Sequence, residues 1–205
     1  MTHVPRGWRL VRTLLSSLRL WPHLLLLATH RNGAAMRADI MRWADIIFGG
    51  DADAPRHAVS AFLRLMSFHH EYRNLFYYRT GLAGRLLSPL CRPLPTLYIT
   101  TPDIGPGLYV QHGFATIISA ASIGRDCWIN QQVTIGYANR TDAPVLGNNI
   151  RVHAGAKVIG AVHVGDNAVI GANAVVVKDV PADTTVVGVP ARIVRRNGRR
   201  VDEAL

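Results

Sequence analysis

The strongest pattern in the chain is a six-residue repeat of apolar positions between residues 146 and 181. An aliphatic residue recurs at every sixth position, and a small or apolar residue follows four positions later. The first set is Leu146, Val152, Val158, Val164, Ile170 and Val176, and the second is Ile150, Ala156, Val162, Ala168, Ala174 and Val180. Neither a helix, with a period of about 3.6, nor an alternating strand gives this spacing. It is typical of short strands separated by corners, so we predict an all-β parallel β-helix of stacked coils.

The six-residue period continues upstream in other phases and is interrupted twice. The upstream phases consist of Ile117, Ile123, Ile129 and Ile135 with Ala121, Cys127 and Val133, and of Ile104 and Val110 with Leu108 and Phe114. One extra residue separates Val110 from Ile117, and five separate Ile135 from Leu146. Glycine follows the aliphatic residue directly at Gly147, Gly165 and Gly171, where a tight corner favours a residue without a Cβ atom.

Three six-residue units complete one coil of a triangular solenoid, so the stacking of distant residues can be counted through both interruptions. The count places Ile170, Val152, Ile129 and Val110 in one column. The residues two positions further on are Ala172, Ala154, Gln131 and His112. An imidazole beside two alanines, whose small side chains leave the backbone accessible, indicates an active site with His112 as the candidate base. We expect His153 and His163 to lie outside the column and assign them no role.

The first third of the chain is predicted to be helical. Leu10, Leu14, Leu18, Trp21 and Leu25 follow one helical face between residues 8 and 27, and Pro22 is expected to end or kink that helix. Further helices are predicted over residues 34–48 and 55–69, the latter after the cap-like stretch Asp51-Ala-Asp53. The predicted organisation is a basic helical region with a crossing segment over residues 1–95, the β-helix over 96–185 and a basic tail over 186–205.

Charge separates these three regions. Residues 1–95 carry 13 Arg and 5 acidic residues, residues 96–185 carry 5 basic and 6 acidic, and residues 186–205 carry 5 basic and 2 acidic, so +8, −1 and +3 give the net charge of +10. Basic flanks favour anionic partners such as coenzyme phosphates or an acidic membrane surface. Nucleic acid is disfavoured, because the arginines are scattered and no recognition motif accompanies them.

The location predicted from the sequence is cytoplasmic. The two cysteines, Cys91 and Cys127, give no disulfide framework, and the apolar run Leu24–Ala28 is too short to span a bilayer. No signal-peptide cleavage pattern follows that run. The cationic first helix is expected to pack on the solenoid or on a neighbouring subunit, with peripheral attachment to the inner face of a membrane as the alternative.

Four segments together resemble the hexapeptide-repeat acyltransferases, and within them the serine acetyltransferase type. The segments are Gly107-Leu-Tyr-Val-Gln-His-Gly113, Ile129-Asn-Gln-Gln-Val-Thr-Ile-Gly136, Ala154-Gly-Ala-Lys-Val-Ile-Gly160 and Gly188-Val-Pro-Ala-Arg-Ile-Val194. The resemblance implies a left-handed β-helix, a homotrimer with each active site between two subunits, and acetyl-CoA lying along the coils. It also implies a general base at His112.

The same resemblance suggests which residues hold the coenzyme. The backbone at Gly136, Ala154 and Ala172 would contact acetyl-CoA. Lys157, Arg192 or Arg195 could reach its phosphates by charge attraction. No metal is expected. A γ-carbonic-anhydrase-like site would need three converging histidines, and His153 and His163 lie ten positions apart, away from the His112 column.

Three departures from the serine acetyltransferase pattern concern the acceptor. Gln111 stands where an Asp precedes the histidine, Asp142-Ala143 replaces an Arg-His pair, and residues 97–101 contain no Asp. We therefore predict an O-acetyltransferase of the polysaccharide type, acting on a sugar hydroxyl in polysaccharide or glycan synthesis. The residues expected to contact the acceptor are Gln111, Gln131, Tyr137, Asn139, Arg140 and Asp142. The alternatives are a serine O-acetyltransferase of cysteine biosynthesis and, in another class, a non-enzymatic trimeric scaffold.

Overall fold

A computed structural model describes residues 6–49 and 57–205, with side chains from residue 18 onwards. The chain divides into two compact units, Met1–Leu94 and Pro95–Leu205. The first unit is helical and the second is a β-helix, as predicted. Leu10, Leu14 and the Asp51–Asp53 stretch lie outside the residues whose side chains are described.

Four α-helices form the first unit: α1 (Arg6–Thr29), α2 (Gly33–Phe48), α3 (Ala58–Phe68) and α4 (His70–Leu87), followed by a 3-10 turn at Ser88–Leu90. Pro22 lies inside α1, which continues past it. Helix α4 was not among the predicted helices, since the last of those ended at residue 69. Its aromatic residues Tyr72 and Phe76 pack against Phe62 of α3 at ring distances of 6.3 and 5.2 Å, which explains why this segment is helical.

Buried polar groups tie the helices together. Arg79 of α4 donates to Asp39 of α2 at 2.8 Å, and both side chains are almost completely buried. Arg73 donates to the backbone oxygens of Met66, Ser67 and Arg92. These bonds satisfy charges that would otherwise be costly to remove from water.

Helix α1 is apolar on two sides, and the buried side is not the predicted one. Leu20, His23 and Leu27 are buried, whereas Leu18, Trp21 and Leu25 are 75%, 64% and 57% exposed. Within this chain, the described part of the predicted apolar face is therefore uncovered. No described helix is long and apolar enough to cross a membrane.

The second unit is a parallel β-helix with three faces. The first face contains β1 (Leu97–Ile99), β4 (Thr116–Ile118), β7 (Thr134–Gly136), β10 (Lys157–Ile159) and β13 (Val175–Val176). The second face contains β2 (Asp103–Ile104), β5 (Ser122–Ile123), β8 (Val145–Leu146) and β11 (His163–Val164). The third face contains β3 (Tyr109–Val110), β6 (Trp128–Ile129), β9 (Arg151–Val152), β12 (Val169–Ile170) and β14 (Thr184–Val187).

The register of the third face confirms the counted column. Val110 pairs with Ile129, Ile129 with Val152, and Val152 with Ile170, and all four side chains are buried. The glycines after the aliphatic residues allow the coils to approach closely. A Cβ atom on Gly147 or Gly165 would lie within 3 Å of atoms of the next coil.

Two features of the β-helix differ from the prediction. Ile118, not Ile117, is the inward residue of β4, since Ile118 is fully buried and pairs with Ile135 whereas Ile117 is 43% exposed. Ala120 likewise replaces Ala121 in the core. Residues 192–204, expected as a tail, form β15 (Arg192–Arg196) and β16 (Arg199–Ala204), which extend the third face in antiparallel pairing.

Candidate active site

His112 lies at the corner that leads from the third face to the first face, which we call the third corner. Seven positions separate Val110 from Ile117, whereas five separate their partners Ile129 and Thr134, so this coil has two extra residues at the corner. The following corner is one residue short, because Ile118 and Ile123 are five positions apart. Together the two changes give the single-residue slip counted in the sequence.

The extra residues change the backbone at His112. His112, Gly113 and Ala115 have φ angles of 64°, 46° and 49°, in the left-handed region. The Phe114 N–H donates to the His112 carbonyl, which closes a tight turn centred on Gly113. The His112 side chain is exposed. The corner therefore presents an accessible imidazole on a bulged segment.

The bulge also corrects the predicted column at the third corner. Asn173 N–H donates to the Ala154 carbonyl, Gly155 N–H to the Gln131 carbonyl, and Gln132 N–H to the Phe114 carbonyl. By this stacking, Phe114 rather than His112 continues the column of Gln131, Ala154 and Ala172. His112 lies at the same corner, displaced from the column by the two extra residues.

Two of the three predicted backbone contacts of the coenzyme are accessible at this corner, and the third, Gly136, is buried on the first face. Ala154 is half-buried and Ala172 is exposed. Gly136 ends β7 on the first face, and a Cβ atom built there would come no closer than 4.0 Å to Thr134 Cγ2. Lys157 Nζ donates to the Gln132 carbonyl at 2.7 Å, which holds the ammonium group at the third corner.

The two arginines predicted to reach the phosphates lie in different places. Arg192 pairs with Asp202 at 2.8 Å and borders a cleft of about 270 Å³ with Val175, Val177 and Lys178 of the first-face end. Arg195 borders a separate cleft of about 310 Å³, together with Asn167 and Asp183. Both of these residues have positive φ angles, the Asn167 amide donates to the Asp183 carboxylate, and they lie at the corner between the second and third faces. The structure therefore places Arg192, and not Arg195, on the side of the third corner.

Gln111 is held by a residue that the sequence reasoning missed. Trp128 Nε1–H donates to Gln111 Oε1 at 3.2 Å. The Trp128 ring packs edge to face against Tyr109 at 4.7 Å, and the guanidinium of Arg151 lies 6.0 Å from its centroid. Tyr109 and Trp128 directly precede the inward residues Val110 and Ile129 of paired strands. The column counted from the sequence could therefore have shown that both aromatic side chains lie on the outer side of neighbouring coils.

The loop between β7 and β8 contains the other predicted acceptor residues. Asn139 Oδ1 accepts from the backbone N–H groups of Thr141 and Asp142, and the Asn139 amide donates to the Asp142 carboxylate. Asn139 and Asp142 thus shape the loop with their own side chains. Tyr137 is 47% exposed and Arg140 is exposed, so both side chains are accessible at the surface of the loop. Gln131 Oε1 is buried without a hydrogen-bond partner among the described residues.

The other histidines do not join His112 in a cluster. His163 lies exposed on the second face, and His153 is half-buried near the third corner. Within the described residues, no three His, Cys, Asp or Glu side chains are grouped to hold a metal ion. Cys127 is buried in the β-helix, as its inward position predicted.

Comparison with known proteins agrees with the repeat pattern. Residues 143–178 match the bacterial transferase hexapeptide family, described as six repeats. The chain is 42% identical over 133 residues to a serine acetyltransferase of Synechococcus elongatus, covering 62% of this chain and 54% of the relative. It is 38% identical over 134 residues to the Helicobacter pylori enzyme of that name, covering 63% of this chain and 76% of the relative.

Solved structures give the same answer for the fold. A serine acetyltransferase of Neisseria gonorrhoeae superimposes with a TM-score of 0.63 at 26% identity, over 95% of this chain and 81% of that one. A serine acetyltransferase of Brucella abortus in complex with coenzyme A gives 0.58 at 27% identity, over 85% and 72%. The predicted left-handed β-helix is confirmed.

The extent of the similarity differs between relatives. The chain spans 54% of the Synechococcus protein and 63% of a Staphylococcus epidermidis serine acetyltransferase. The relatives carry no polysaccharide-type name, so they do not support that subgroup. With the repeat match, the Helicobacter relative and the shared fold taken together, the chain belongs to the hexapeptide-repeat transferase family.

Proposed function

We propose that this protein transfers the acetyl group of acetyl-CoA to the hydroxyl of a small acceptor, and that the acceptor is free serine. The observation that carries the proposal is the exposed imidazole of His112 on a bulged corner, with the accessible residues Ala154 and Ala172 at the same corner of later coils. The names of the sequence relatives support serine, and the coenzyme A complex of a structural neighbour supports the donor.

The reaction needs one base at His112. A serine hydroxyl is a weak nucleophile at neutral pH, so the neutral imidazole accepts its proton as the oxygen attacks the thioester carbonyl carbon. The C–S bond then breaks, and the imidazolium returns the proton to the departing thiolate of the coenzyme. The products are O-acetylserine and free coenzyme A, with no net uptake of protons.

The third corner is the proposed path of the coenzyme. The small side chains of Ala154 and Ala172 leave room for the pantetheine arm along this corner, and Gly136 on the first face is the further proposed backbone contact. Lys157 and Arg192 are the proposed phosphate partners, because both lie on this side of the β-helix. Arg195 is a weaker choice, since it borders the cleft at the other corner.

Arg140 is the proposed anchor of the serine carboxylate. It is the only cationic residue in the loop of residues 137–145, and no described ion pair engages it. The loop therefore supplies a charge that could replace the Arg-His pair missing before Pro144. A sugar hydroxyl is the competing acceptor, because the exposed ring of Tyr137 offers a stacking surface, but the relatives favour serine.

A homotrimer is the proposed assembly. The outward column of the first face exposes Tyr98 and Ile117, and Phe114 is 55% exposed at the His112 corner. Burial of such side chains between subunits would be favourable by about 25 cal/mol per Å² of apolar surface. Light scattering of the purified protein measures the assembly directly.

The test is an assay of thiol release from acetyl-CoA with serine and with a panel of monosaccharides and nucleotide sugars. We expect serine to be the preferred acceptor and His112→Ala to lower kcat by about 10²- to 10⁴-fold. His163→Ala is the matched control, because that exposed histidine lies on another face. Wild-type activity in His112→Ala would exclude His112 as the base, and efficient transfer to a sugar alone would exclude serine. Coenzyme binding absent altogether would favour a scaffold.

A further inference from the structure

The side chain next to the proposed base is an amide, and its orientation is fixed by one neighbour. Gln111 is half-buried directly before His112, and its Oε1 atom lies 3.2 Å from Trp128 Nε1. An indole nitrogen only donates hydrogen bonds, whereas the two ends of a glutamine amide differ in polarity. The atom of Gln111 that faces Trp128 must therefore be the carbonyl oxygen, and the amide orientation follows from chemistry.

Trp128 is itself held from two sides. Its ring is fixed edge to face by Tyr109 at 4.7 Å, in the neighbouring coil below. Arg151 of the next coil places its guanidinium 6.0 Å from the ring centroid. Aromatic pairs and cation–π contacts of this kind restrict the ring to one orientation. The indole N–H is thus pre-aligned with Gln111.

We propose that Trp128 is a positioning residue, which turns the N–H₂ group of Gln111 toward the acceptor so that it donates to the carboxylate of serine. This inference rests on the proposed function and goes beyond it, since it assigns how this chain recognises its acceptor without an acid before the histidine. A carboxylate is the strongest oxygen acceptor that free serine offers, and hydrogen bonds to charged groups are stronger than neutral ones.

The fixed amide also determines what Gln111 does not do. Its oxygen accepts from Trp128, and no hydrogen bond joins Gln111 to the His112 imidazole among the described residues. A neutral amide carries no charge, so it cannot stabilise an imidazolium as a carboxylate would. Gln111 consequently contributes to acceptor binding, seen in KM, rather than to proton transfer, seen in kcat.

Steady-state kinetics with three variants test this assignment. Gln111→Glu preserves a carbonyl-type oxygen for Trp128 and replaces the donor with a second anionic oxygen, so KM for serine should rise by about 10- to 100-fold. Trp128→Phe keeps a six-membered aromatic ring and removes the N–H together with the five-membered ring, and should raise KM for serine by about 2- to 10-fold. The KM for acetyl-CoA and kcat should change less than about two-fold. His163→Ala, at an exposed histidine on the second face, is the control and should leave KM for serine unchanged.

A double-mutant cycle separates positioning from general packing. If Trp128 acts through Gln111, Trp128→Phe has no further effect on KM in the Gln111→Ala background. Additive effects would overturn the proposal, as would a rise in kcat or a shifted pH profile in Gln111→Glu. Serinol lacks the carboxylate, so its kcat/KM should be lower than that of serine. This difference should be smaller in Gln111→Ala than in wild type.

The hydrogen bond has a readout that does not depend on catalysis. The indole N–H signal of Trp128 in a nitrogen-15 NMR spectrum is assigned by its loss in Trp128→Phe, and it should shift in Gln111→Ala and stay unshifted in His163→Ala. An unchanged signal in Gln111→Ala would disprove the bond. A wild-type protein that transfers nothing to serine would instead overturn the proposed function, and the assigned role of Gln111 with it.

Discussion

Alanine at Gly124 should destabilise the β-helix, because the space for a Cβ atom is occupied by backbone of the next coil. An ideal Cβ atom on Gly124 would lie 2.5 Å from the Gly147 carbonyl oxygen and 2.6 Å from Asn148 Oδ1. Non-bonded contacts are most favourable near 3.5 Å, so the coils would have to separate locally by about 1 Å. The Gly147 carbonyl cannot move alone, since the N–H groups of Gly124 and Gly147 donate into the stacked coils at 2.9 and 2.8 Å.

The size of the effect follows from two opposing contributions. Overpacking of this kind costs about 1–3 kcal/mol, and the lower entropy of an unfolded chain with alanine returns about 0.4–1 kcal/mol. We expect the free energy of unfolding to fall by about 1–2 kcal/mol in Gly124→Ala. Urea denaturation followed by circular dichroism, at one fixed protein concentration, measures this change.

Gly136→Ala is the matched control in the same unit. The nearest atom to a Cβ atom there is Thr134 Cγ2 at 4.0 Å, and Gly136 does not have a positive φ angle, so its stability should change by less than about 0.5 kcal/mol. The same variant should raise KM for acetyl-CoA if the coenzyme crosses this backbone. Equal stability of Gly124→Ala and Gly136→Ala would refute the argument from coil spacing.

Three further predictions concern the helical unit. Asp39→Ala leaves the buried guanidinium of Arg79 unpaired and should cost about 3–5 kcal/mol in urea denaturation, whereas Ala at the exposed Asp45 should change little. Burial lowers the pKa of both His23 and His69 to about 4, so the free energy of unfolding should fall as pH decreases from about 6.5 to about 4. His23→Leu should reduce this dependence on pH, whereas His57→Leu should not. If the exposed Leu18, Trp21 and Leu25 attach to membranes, the protein should sediment with anionic but not with neutral vesicles, and Trp21→Ser should reduce the sedimented fraction. If Trp21→Ser instead weakens a concentration-dependent self-assembly, the surface contacts another subunit.

Burial and the charge of Arg19 lower the pKa of His23, and the hydrogen bonds of its ring show how little the surroundings offer a charged imidazole. Tyr77 donates its hydroxyl hydrogen to the Cys91 carbonyl, so the Tyr77 oxygen accepts from His23 Nε2–H. The other ring nitrogen, Nδ1, is buried without a partner among the described residues. Protonation would place a new N–H there with no acceptor, in addition to the desolvation and the charge of Arg19 that already lower the pKa.

The sequence predicts the β-helix well because its core follows one period. The predicted column of Val110, Ile129, Val152 and Ile170 is confirmed, as the inward position is the only one that is aliphatic in every coil. At β4 the choice fails, since Ile117 and Ile118 are both aliphatic and the corner before them has two extra residues. Pattern alone also does not decide which side of α1 is buried, because leucines lie on both sides of that helix.

The candidate site was predicted as far as it depends on local sequence. His112 was found from the motif and the interruption, but the contact between Trp128 and Gln111 joins residues 17 positions apart on neighbouring coils. The different positions of Arg192 and Arg195 arise because β15 crosses the end of the third face, so its ends border clefts at opposite corners. No strands were predicted in residues 186–205, so the sequence could not show that Arg192 and Arg195 lie at different corners.

The two extra residues at the third corner explain how a repetitive fold can present a base. In a regular coil, each corner residue continues a column of backbone hydrogen bonds to the coils on either side. Here Phe114 takes that place, because its carbonyl accepts from Gln132 and keeps the stack continuous. His112 is thereby released from the column without loss of a backbone hydrogen bond to the next coil. The interruption thus keeps the stack continuous while it exposes His112, the proposed base, at the corner that also carries Ala154 and Ala172 in later coils.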